Sequence, residues 1–335
     1  MPLSRRKKRH LKLWSVLLVL GVLFAFGLVR FDRLRSPLLG VTFSHVYAQD
    51  LGLDWREAYA AILADLSPDH MRIPVYWSHL EPERGGFIFD DYDWMLNEAA
   101  RRGVAVTLAI GQKVPRWPEC YLPQWVDALQ EDGQAGDEAR EAAVLSMIEA
   151  FVKRYEAHPA VGRWQVENEP FLAFGVCPKT DLGFVRRELE LVRSISQKPI
   201  AMTTSGELEP WFQVAPFADQ VGFSLYRLTW NPIFGYWAYP FQPNIYRARV
   251  KTLEPFVDAV YISELQAEPW FHAPIESLSI DDQHRMFSPR MLRENVAFAR
   301  RIEVPLVDLW GAEWWWYMKV NGDDSLWEEA KKVFQ

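Results

Sequence analysis

Short apolar segments alternate with helical segments from residue 40 to residue 334, and this alternation restricts the fold more than any other feature. Each apolar segment is rich in β-branched or other apolar residues, and each is followed by a stretch with helical character. The predicted strands are 40–45, 69–74, 104–110, 161–168, 199–204, 220–226, 259–264 and 304–310. The predicted helices are 54–66, 90–102, 137–157, 180–196, 209–218, 243–257, 288–302 and 323–334.

Eight strand–helix units predict an α/β fold, a closed parallel (β/α)8 TIM barrel. Asp54 is a predicted helix N-cap, and Ser288-Pro289 has the residue types that begin another helix. The structural alternative is a doubly wound sheet, but no Gly-x-Gly-x-x-Gly follows the first strand. The loops after the strands are long and aromatic, whereas the opposite connections, such as Arg102-Gly103, are short. In a barrel this pattern places the elaborated loops on the catalytic face.

The N-terminus has a basic cluster followed by an uncharged apolar run. The predicted regions are a cytoplasmic tail at 1–12, a transmembrane signal-anchor at 13–29, a linker at 30–37 and the barrel domain at 38–335. Seventeen uncharged residues span about 26 Å as a helix, close to the thickness of a hydrocarbon core. No convincing cleavage site follows, so an uncleaved anchor is favoured over a cleaved signal peptide. The positive-inside rule then predicts a single-pass cell-membrane protein with its barrel outside the cytoplasm.

The charge of the chain limits its partners. The net charge is −7, but residues 1–35 contain nine Lys or Arg and one acid, so the remainder carries −15. A nucleic-acid partner requires a basic face, so this balance argues against one and suits a neutral substrate. The chain also has 16 Trp and 12 Tyr, many of the Trp in loops, which indicates either a large core or stacking on sugar rings.

The two cysteines, Cys120 and Cys177, follow the third and fourth predicted strands. Loops after adjacent strands are neighbours on one face of a barrel, and an oxidising compartment permits a disulfide there. Two free buried thiols are the alternative, because spacing alone does not establish the required geometry. Neither His-x-His on the first strand nor His-Glu-x-x-His is present, so no metal site and no cofactor are predicted.

Two glutamates lie at the ends of predicted strands. Glu169 follows the fourth strand, and Glu264 ends the seventh, 95 residues later. Cleavage of a glycosidic bond needs two carboxyl groups flanking the anomeric carbon, and a barrel presents such groups at the carboxyl ends of its strands. A single glutamate at a strand end is commonly an ordinary surface carboxylate, so the hypothesis depends on the pair and its surroundings.

Asn168-Glu169-Pro170, after a Trp-containing strand, resembles clan A of the glycoside hydrolases, which are retaining enzymes built on (β/α)8 barrels. The resemblance extends over residues 38–318. It implies that Glu169 is the acid/base and Glu264 the nucleophile, with the two carboxyl groups about 5–5.5 Å apart. It also implies that Asn168 contacts the sugar 2-hydroxyl.

Other strand ends extend the resemblance. Arg72, in Arg72-Ile73-Pro74-Val75-Tyr76-Trp77, is similar to the clan's second-strand arginine, which supports the nucleophile and would keep it ionised. Trp77 is a further substrate-binding candidate. Tyr226 ends the sixth strand, where clan members donate a hydrogen bond to the nucleophile. Trp310 ends the eighth strand, where the clan often stacks a Trp under the sugar.

Some polar residues near the strand ends allow two interpretations. His45 either contacts a sugar hydroxyl or is a core histidine. Gln112 is a candidate sugar contact, although some clan families carry histidine there, and Ser224 stands where family 5 typically has histidine. Glu167 and Asp308 share strand parity with Glu169 and Trp310, and both are predicted to be inward structural carboxylates.

The sequence therefore predicts a membrane-anchored, monomeric glycoside hydrolase that cleaves β-linked glycans or glycosides outside the cytoplasm with retention. Its partners would be a carbohydrate substrate and, through the N-terminal helix, the membrane. One alternative is a surface glycan-binding protein on a non-catalytic barrel. Another is a transglycosylase with the same residues, in which a sugar acceptor replaces water. The sugar, the linkage and the choice between exo and endo action stay open.

Overall fold

The computed structural model describes residues 36–127, 129 and 134–335. The predicted cytoplasmic tail, signal-anchor and most of the linker lie outside these residues. Within the described part of the chain, no helix is both long and apolar enough to cross a membrane. The residues from Ser36 to Gln335 belong to one compact unit.

Eight parallel strands close into a barrel, which confirms the predicted fold. The strands of the described residues are β1 (Leu38–Thr42), β2 (His70–Pro74), β3 (Ala105–Ile110), β4 (Val161–Val166), β5 (Ile200–Ser205), β6 (Gln220–Leu225), β7 (Leu228–Asn231), β8 (Gly235–Ala238), β9 (Ala259–Gln266) and β10 (Leu306–Trp310). β7 and β8 form an antiparallel hairpin apart from the barrel, so β9 and β10 are the seventh and eighth barrel strands. β10 pairs with β1 and closes the ring.

The helices occupy the connections between the strands. They are α1 (His45–Asp50), α2 (Trp55–Ala61), α3 (Trp77–Leu80), α4 (Asp90–Arg101), α5 (Gln124–Asp127), α6 (Gln134–Tyr155), α7 (Leu182–Ile195), α8 (Pro243–Leu253), α9 (Ile280–Met286), α10 (Pro289–Arg300), α11 (Ala312–Val320) and α12 (Ser325–Phe334). A π-helical turn at Ile62–Leu66 continues α2, and Ile275–Ser277 is a 3-10 turn. Seven predicted helices are present.

The predicted helix 209–218 is wrong. Only a 3-10 turn, Trp211–Gln213, forms there. Pro216 lies within the predicted segment, and proline both lacks the N–H that a helix needs and disfavours helical backbone in the residue before it. Two predicted helix starts are confirmed. Asp54 accepts hydrogen bonds from two amides of α2, and Pro289 occupies the first turn of α10. Ser288 has the N-cap position, but its side chain makes no capping bond.

One apolar core fills the space between the barrel wall and the surrounding helices. Trp314 and Trp315 of α11 are fully buried in it. The barrel interior also holds polar groups, among them Asp308, whose carboxylate lies 2.6 Å from His70 Nδ1. A Cβ at position 40 would lie 2.1 Å from Asp308 Oδ1, so only glycine fits beside this pair. Asp308 is thus a structural carboxylate, as its strand parity indicates.

Candidate active site

Glu169 lies directly beyond the fourth barrel strand, where the backbone leaves the extended conformation. Glu167 and Glu169 both have left-handed backbone, with φ of 60° and 45°. The amide of Glu169 donates to Thr203 Oγ1 at 3.0 Å, and its carbonyl accepts from Lys113 Nζ at 3.0 Å. Strand alternation therefore ends at Val166, which is why the consecutive side chains of Asn168 and Glu169 can both belong to the site.

Glu264 lies inside the seventh barrel strand, at an irregularity in its pairing. β9 has one residue more than each neighbour beside the site: Phe223 and Ser224 of β6 pair with Ile262 and Glu264. Such a bulge re-aims the side chains that follow it and is common next to active sites. The carboxylate of Glu264 accepts from Tyr226 Oη at 3.0 Å and from Arg72 Nη1 at 2.8 Å.

Arg72, on the second barrel strand, fixes several side chains at once. Its fully buried guanidinium donates to Glu264 Oε1 and to Asn168 Oδ1, the latter at 2.7 Å. It also donates to Gln165 Oε1 at 2.7 Å and to the carbonyl of Ser263. This cation and the Tyr226 hydroxyl stabilise an ionised Glu264, and bonding on several sides leaves the guanidinium little freedom to move.

Glu169 has the opposite electrostatic setting. Burial raises the pKa of Glu169 well above its ordinary value, and the nearby charges of Glu264 and Glu119 raise it further. Its Oε1 has no hydrogen-bond partner among the described residues. Such surroundings favour the protonated form of a carboxyl group, whereas Glu264 has a fixed cation beside it. The site therefore holds two carboxyl groups in unequal electrostatic surroundings.

Glu119 is a residue of this site that the sequence did not single out. It follows the third barrel strand and is only 6% exposed. Its Oε2 lies 3.1 Å from Lys113 Nζ, and its Oε1 lies 3.5 Å from Asn168 Nδ2. Burial raises the pKa of Glu119 to about 7, although Lys113 opposes this shift. The sequence feature that could have pointed to Glu119 is its position next to Cys120, one of the two cysteines of the chain.

A disulfide joins Cys120 and Cys177, whose Cα atoms are 5.2 Å apart. The structure thus contains the predicted bond and not the alternative of two free thiols. The bond links the loop after β3 to the loop after β4, and the amide of Val176 donates to the carbonyl of Pro118 beside it. Because Glu119 is the residue before Cys120, the disulfide anchors the loop that presents its carboxyl group.

Trp310 ends the eighth barrel strand and has one face covered by Arg116. The Arg116 Cζ atom lies 4.1 Å from the centre of the Trp310 ring and 3.9 Å from that of Tyr47. Arg116 also forms ion pairs with Glu313 at 3.0 Å and with Glu268. A sugar could therefore stack only on the opposite face of Trp310. The sequence did not indicate this network, whose members come from four separate segments.

Three predicted sugar contacts have their side chains engaged elsewhere. Trp77 is buried and donates from Nε1 to Glu81 at 2.7 Å. Gln112 accepts from Arg140 at 2.7 Å and donates toward Pro178 and Thr180. His45 is buried against the rings listed next, and burial lowers its pKa to about 3. These rings are Trp55, Tyr76, His79 and Tyr92. Of its two interpretations, His45 therefore fits the core histidine.

Glu167 and Glu188 form a buried carboxyl pair beneath the site. Glu167 accepts from the amides of Gln112 at 2.7 Å and Lys113 at 3.0 Å, so it links the end of β4 to the loop after β3, as a structural carboxylate. A Cβ at position 111 would lie 2.5 Å from Glu167 Oε1, so glycine is required there. Burial raises the pKa of Glu188 well above its ordinary value, and the charge of Glu167 raises it further. Two adjacent buried carboxyl groups cannot both ionise readily, so the pair retains a proton.

We expect Glu188→Gln to flatten the pH dependence of stability. Folded Glu188 keeps its proton, whereas the unfolded chain loses it above its ordinary pKa of 4.5. The free energy of unfolding therefore falls as pH rises, by about 1.4 kcal/mol per pH unit for one extra proton. Urea unfolding at several pH values between 5 and 8 should show that the free energy of unfolding falls less steeply with pH in the variant than in the wild type. Glu190→Gln, on the exposed face of the same helix, is the control, and equal slopes in wild type and Glu188→Gln would contradict the assignment.

No group of three or more His, Cys, Asp or Glu within residues 36–127, 129 and 134–335 is arranged to hold a metal ion.

Comparison with known proteins finds similarity to glycoside hydrolases. Residues 62–186 match the model of glycoside hydrolase family 42, described as beta-galactosidase. A β-galactosidase from the haloarchaeon Halorubrum lacusprofundi is similar in structure, with 16% identity, a TM-score of 0.56 and coverage of 81% of this chain and 52% of that one. This chain therefore spans about half the length of that protein.

Two further solved structures belong to other families. GH5_18 from Bifidobacterium longum subsp. longum has 15% identity and a TM-score of 0.58, over 82% of this chain and 70% of that one. A glycoside hydrolase family 10 endo-β-1,4-xylanase from Gloeophyllum trabeum has 15% identity and a TM-score of 0.51, over 84% and 86%. At these identities the structures show a common fold. Together with the family model, they confirm that this chain resembles the clan A glycoside hydrolases, enzymes that hydrolyse O-glycosyl bonds on an eight-stranded parallel barrel.

Proposed function

We propose that this protein is a retaining glycoside hydrolase that cleaves β-linked glycans or glycosides, with Glu169 as acid/base and Glu264 as nucleophile. The observation that carries the proposal is the unequal setting of the two glutamates. Glu264 is paired with the Arg72 cation and the Tyr226 hydroxyl. The carboxyl group of Glu169 is instead buried with no ion pair among the described residues, and its pKa is raised. A double displacement needs this combination of an ionised nucleophile and a protonated acid.

The reaction follows from these two states. In the first step a carboxylate oxygen of Glu264 bonds to the anomeric carbon while the bond to the leaving oxygen breaks, and Glu169 gives its proton to that oxygen. In the second step Glu169, now ionised, takes a proton from water, whose oxygen attacks the anomeric carbon. The bond to Glu264 then breaks, which restores its carboxylate and leaves the product with its original anomeric configuration.

A row of aromatic rings beside the pair supports a carbohydrate substrate. Tyr226, whose hydroxyl contacts the nucleophile, lies 5.5 Å from Trp270, which lies 5.9 Å from Phe174. Phe174 lies 5.8 Å from Trp117, and these last two side chains are 39% and 64% exposed. Exposed rings at the mouth of a site offer flat apolar faces on which a sugar ring can stack.

The proposed location is outside the cytoplasm, at the cell membrane. It is supported by the basic and apolar pattern of residues 1–29 and by the Cys120–Cys177 disulfide, since such bonds persist in oxidising compartments. Galactosides are the first substrates to test, because the matching family model and a similar structure are both described as β-galactosidases.

The proposal is tested by the stereochemistry of the product. Purified protein should be incubated with a panel of aryl β-glycosides, beginning with the galactoside, and the first sugar released should be followed by proton NMR before it mutarotates. The β-anomer is expected. An α-anomer would contradict the double displacement, and binding without turnover across the panel would favour a glycan-binding protein.

A further inference from the structure

The carboxyl group of Glu119 lies beside the proposed catalytic pair, and the double displacement does not use it. It is close enough to both glutamates for their charges to interact. One of its oxygens is engaged by the protein, because Lys113 Nζ lies 3.1 Å from Oε2. The same ammonium donates to the carbonyls of Glu169 and Leu172, each at 3.0 Å, so its position beside Glu119 is fixed by the backbone as well as by the ion pair.

The other oxygen, Oε1, has only a long contact with a donor. Its nearest donor is Asn168 Nδ2 at 3.5 Å, which is at the outer limit for a hydrogen bond. A buried carboxylate oxygen without a good donor is costly, so it is a strong acceptor for any hydroxyl that reaches it.

The amide of Asn168 is oriented by its own contacts. Its Oδ1 accepts from Arg72 Nη2 at 2.7 Å and from Thr203 Oγ1 at 3.1 Å, so the NH2 group must point the other way, toward Glu119. The same guanidinium holds Glu264 through Nη1 at 2.8 Å. The donor Asn168 Nδ2 and the acceptor Glu119 Oε1 are therefore neighbours. The Arg72 guanidinium contacts both Asn168 and the proposed nucleophile, Glu264.

We propose that Glu119 Oε1 binds the 2-hydroxyl of the sugar that Glu264 attacks, beside Asn168, whose contact with that hydroxyl the resemblance to clan A implies. Glu119 would thereby select glycosides with a free 2-hydroxyl. This inference rests on the proposed function. C2 is bonded to the anomeric carbon, so its hydroxyl is the ring hydroxyl nearest to the nucleophile. A hydroxyl can accept from the Asn168 amide and donate to the Glu119 carboxylate at once, which a 2-deoxy sugar cannot do. Hydrogen bonds to this hydroxyl strengthen in the transition state of glycoside cleavage.

The test compares two substrates in three proteins. Wild type, Glu119→Ala and Glu119→Gln are assayed with an aryl β-glycoside of the sugar that the wild type hydrolyses fastest, and with its 2-deoxy counterpart. Glu119→Ala should lower kcat/KM for the 2-hydroxy substrate by about 10- to 100-fold, the usual effect of losing a hydrogen bond to a charged group. For the 2-deoxy substrate the loss should be less than about threefold. Glu119→Gln keeps an acceptor oxygen without the charge and should lie between.

Glu209→Gln is the matched control. Glu209 is another buried carboxylate whose charge acts on Glu169, but its Oε2 is already occupied by Thr204 Oγ1 at 3.1 Å and by the amide of Ser205 at 2.8 Å. It should change kcat/KM for the two substrates by the same factor.

The outcomes separate this inference from the proposed function. Equal losses with both substrates in Glu119→Ala or Glu119→Gln would overturn the inference alone, because they would make Glu119 only a support for Lys113 and its loop. Absence of turnover of any glycoside by the wild type would overturn the proposed function and this inference with it. If thermal unfolding shows that Glu119→Ala does not fold, the two substrates are compared in the nearly isosteric Glu119→Gln instead.

Discussion

Glu264→Ala should lower kcat by at least about 10⁴-fold while the protein stays folded, because removing a catalytic nucleophile abolishes the covalent step. Arg72 would still donate to Gln165, Asn168 and the carbonyl of Ser263, so the surrounding network should survive the change. Glu264→Gln keeps the size of the side chain and should be equally inactive. Steady-state kinetics and thermal unfolding measure the two parts of this expectation.

A small anion should restore turnover in Glu264→Ala and reveal the role of the missing carboxylate. Azide can enter the space left by the side chain and attack the anomeric carbon from the same side. Without a second displacement, the product should be the glycosyl azide of inverted, α configuration. Azide should not accelerate wild type or Glu264→Gln, in which the space is filled. Measurable hydrolysis by Glu264→Ala without azide would refute the assignment of the nucleophile.

Glu169→Ala should have an effect that depends on the leaving group. With a poorly activated leaving group, kcat/KM should fall by about 10²- to 10⁴-fold, the usual contribution of a general acid. With a dinitrophenyl glycoside the fall in kcat/KM should be small, because that leaving group departs without a proton. The same variant should accumulate the glycosyl-enzyme, since no base remains to activate water in the second step.

The pH profile supplies a second readout for Glu169. Only the protonated acid assists departure, so kcat/KM of the wild type should fall as pH rises through the raised pKa of Glu169. The variant, assayed with the dinitrophenyl glycoside, should lack this fall. Equal losses with good and poor leaving groups would place the acid elsewhere, and Glu119, with a pKa of about 7, would then be the candidate.

Much of the fold was predictable because a parallel barrel repeats one local pattern. Each barrel strand is a short apolar segment that the local sequence is enough to recognise. All eight barrel strands were predicted. The errors have local causes. Pro216 interrupts the predicted helix 209–218, and the short helices within loops, such as α1 and α11, have too few turns to show a clear period. The hairpin of β7 and β8 was missed within a long aromatic segment.

The candidate site was predictable only where a residue lies in or just after a strand. Glu169 and Glu264 were identified by this position, and Arg72 and Tyr226 through the resemblance to clan A. The structure brings Arg72 and Tyr226 into hydrogen bonds with Glu264. The same reasoning gave Trp77, whose ring is instead buried beside Glu81, because the position of a residue after a strand does not determine the direction of its side chain.

The sequence by itself determined the barrel through its periodicity, and it singled out the two glutamates by their order along the chain. The residues that contact Glu264, Arg72 and Tyr226, came from the resemblance to clan A. Only the tertiary structure decided how the side chains are aimed. The extra residue in β9 and the left-handed backbone at Glu167 and Glu169 change the alternation of a regular strand. Glu119 and Lys113 meet Asn168 only because strand ends far apart in the chain become neighbours in a closed barrel. Contacts of this kind depend on three-dimensional closure, which no window of sequence contains.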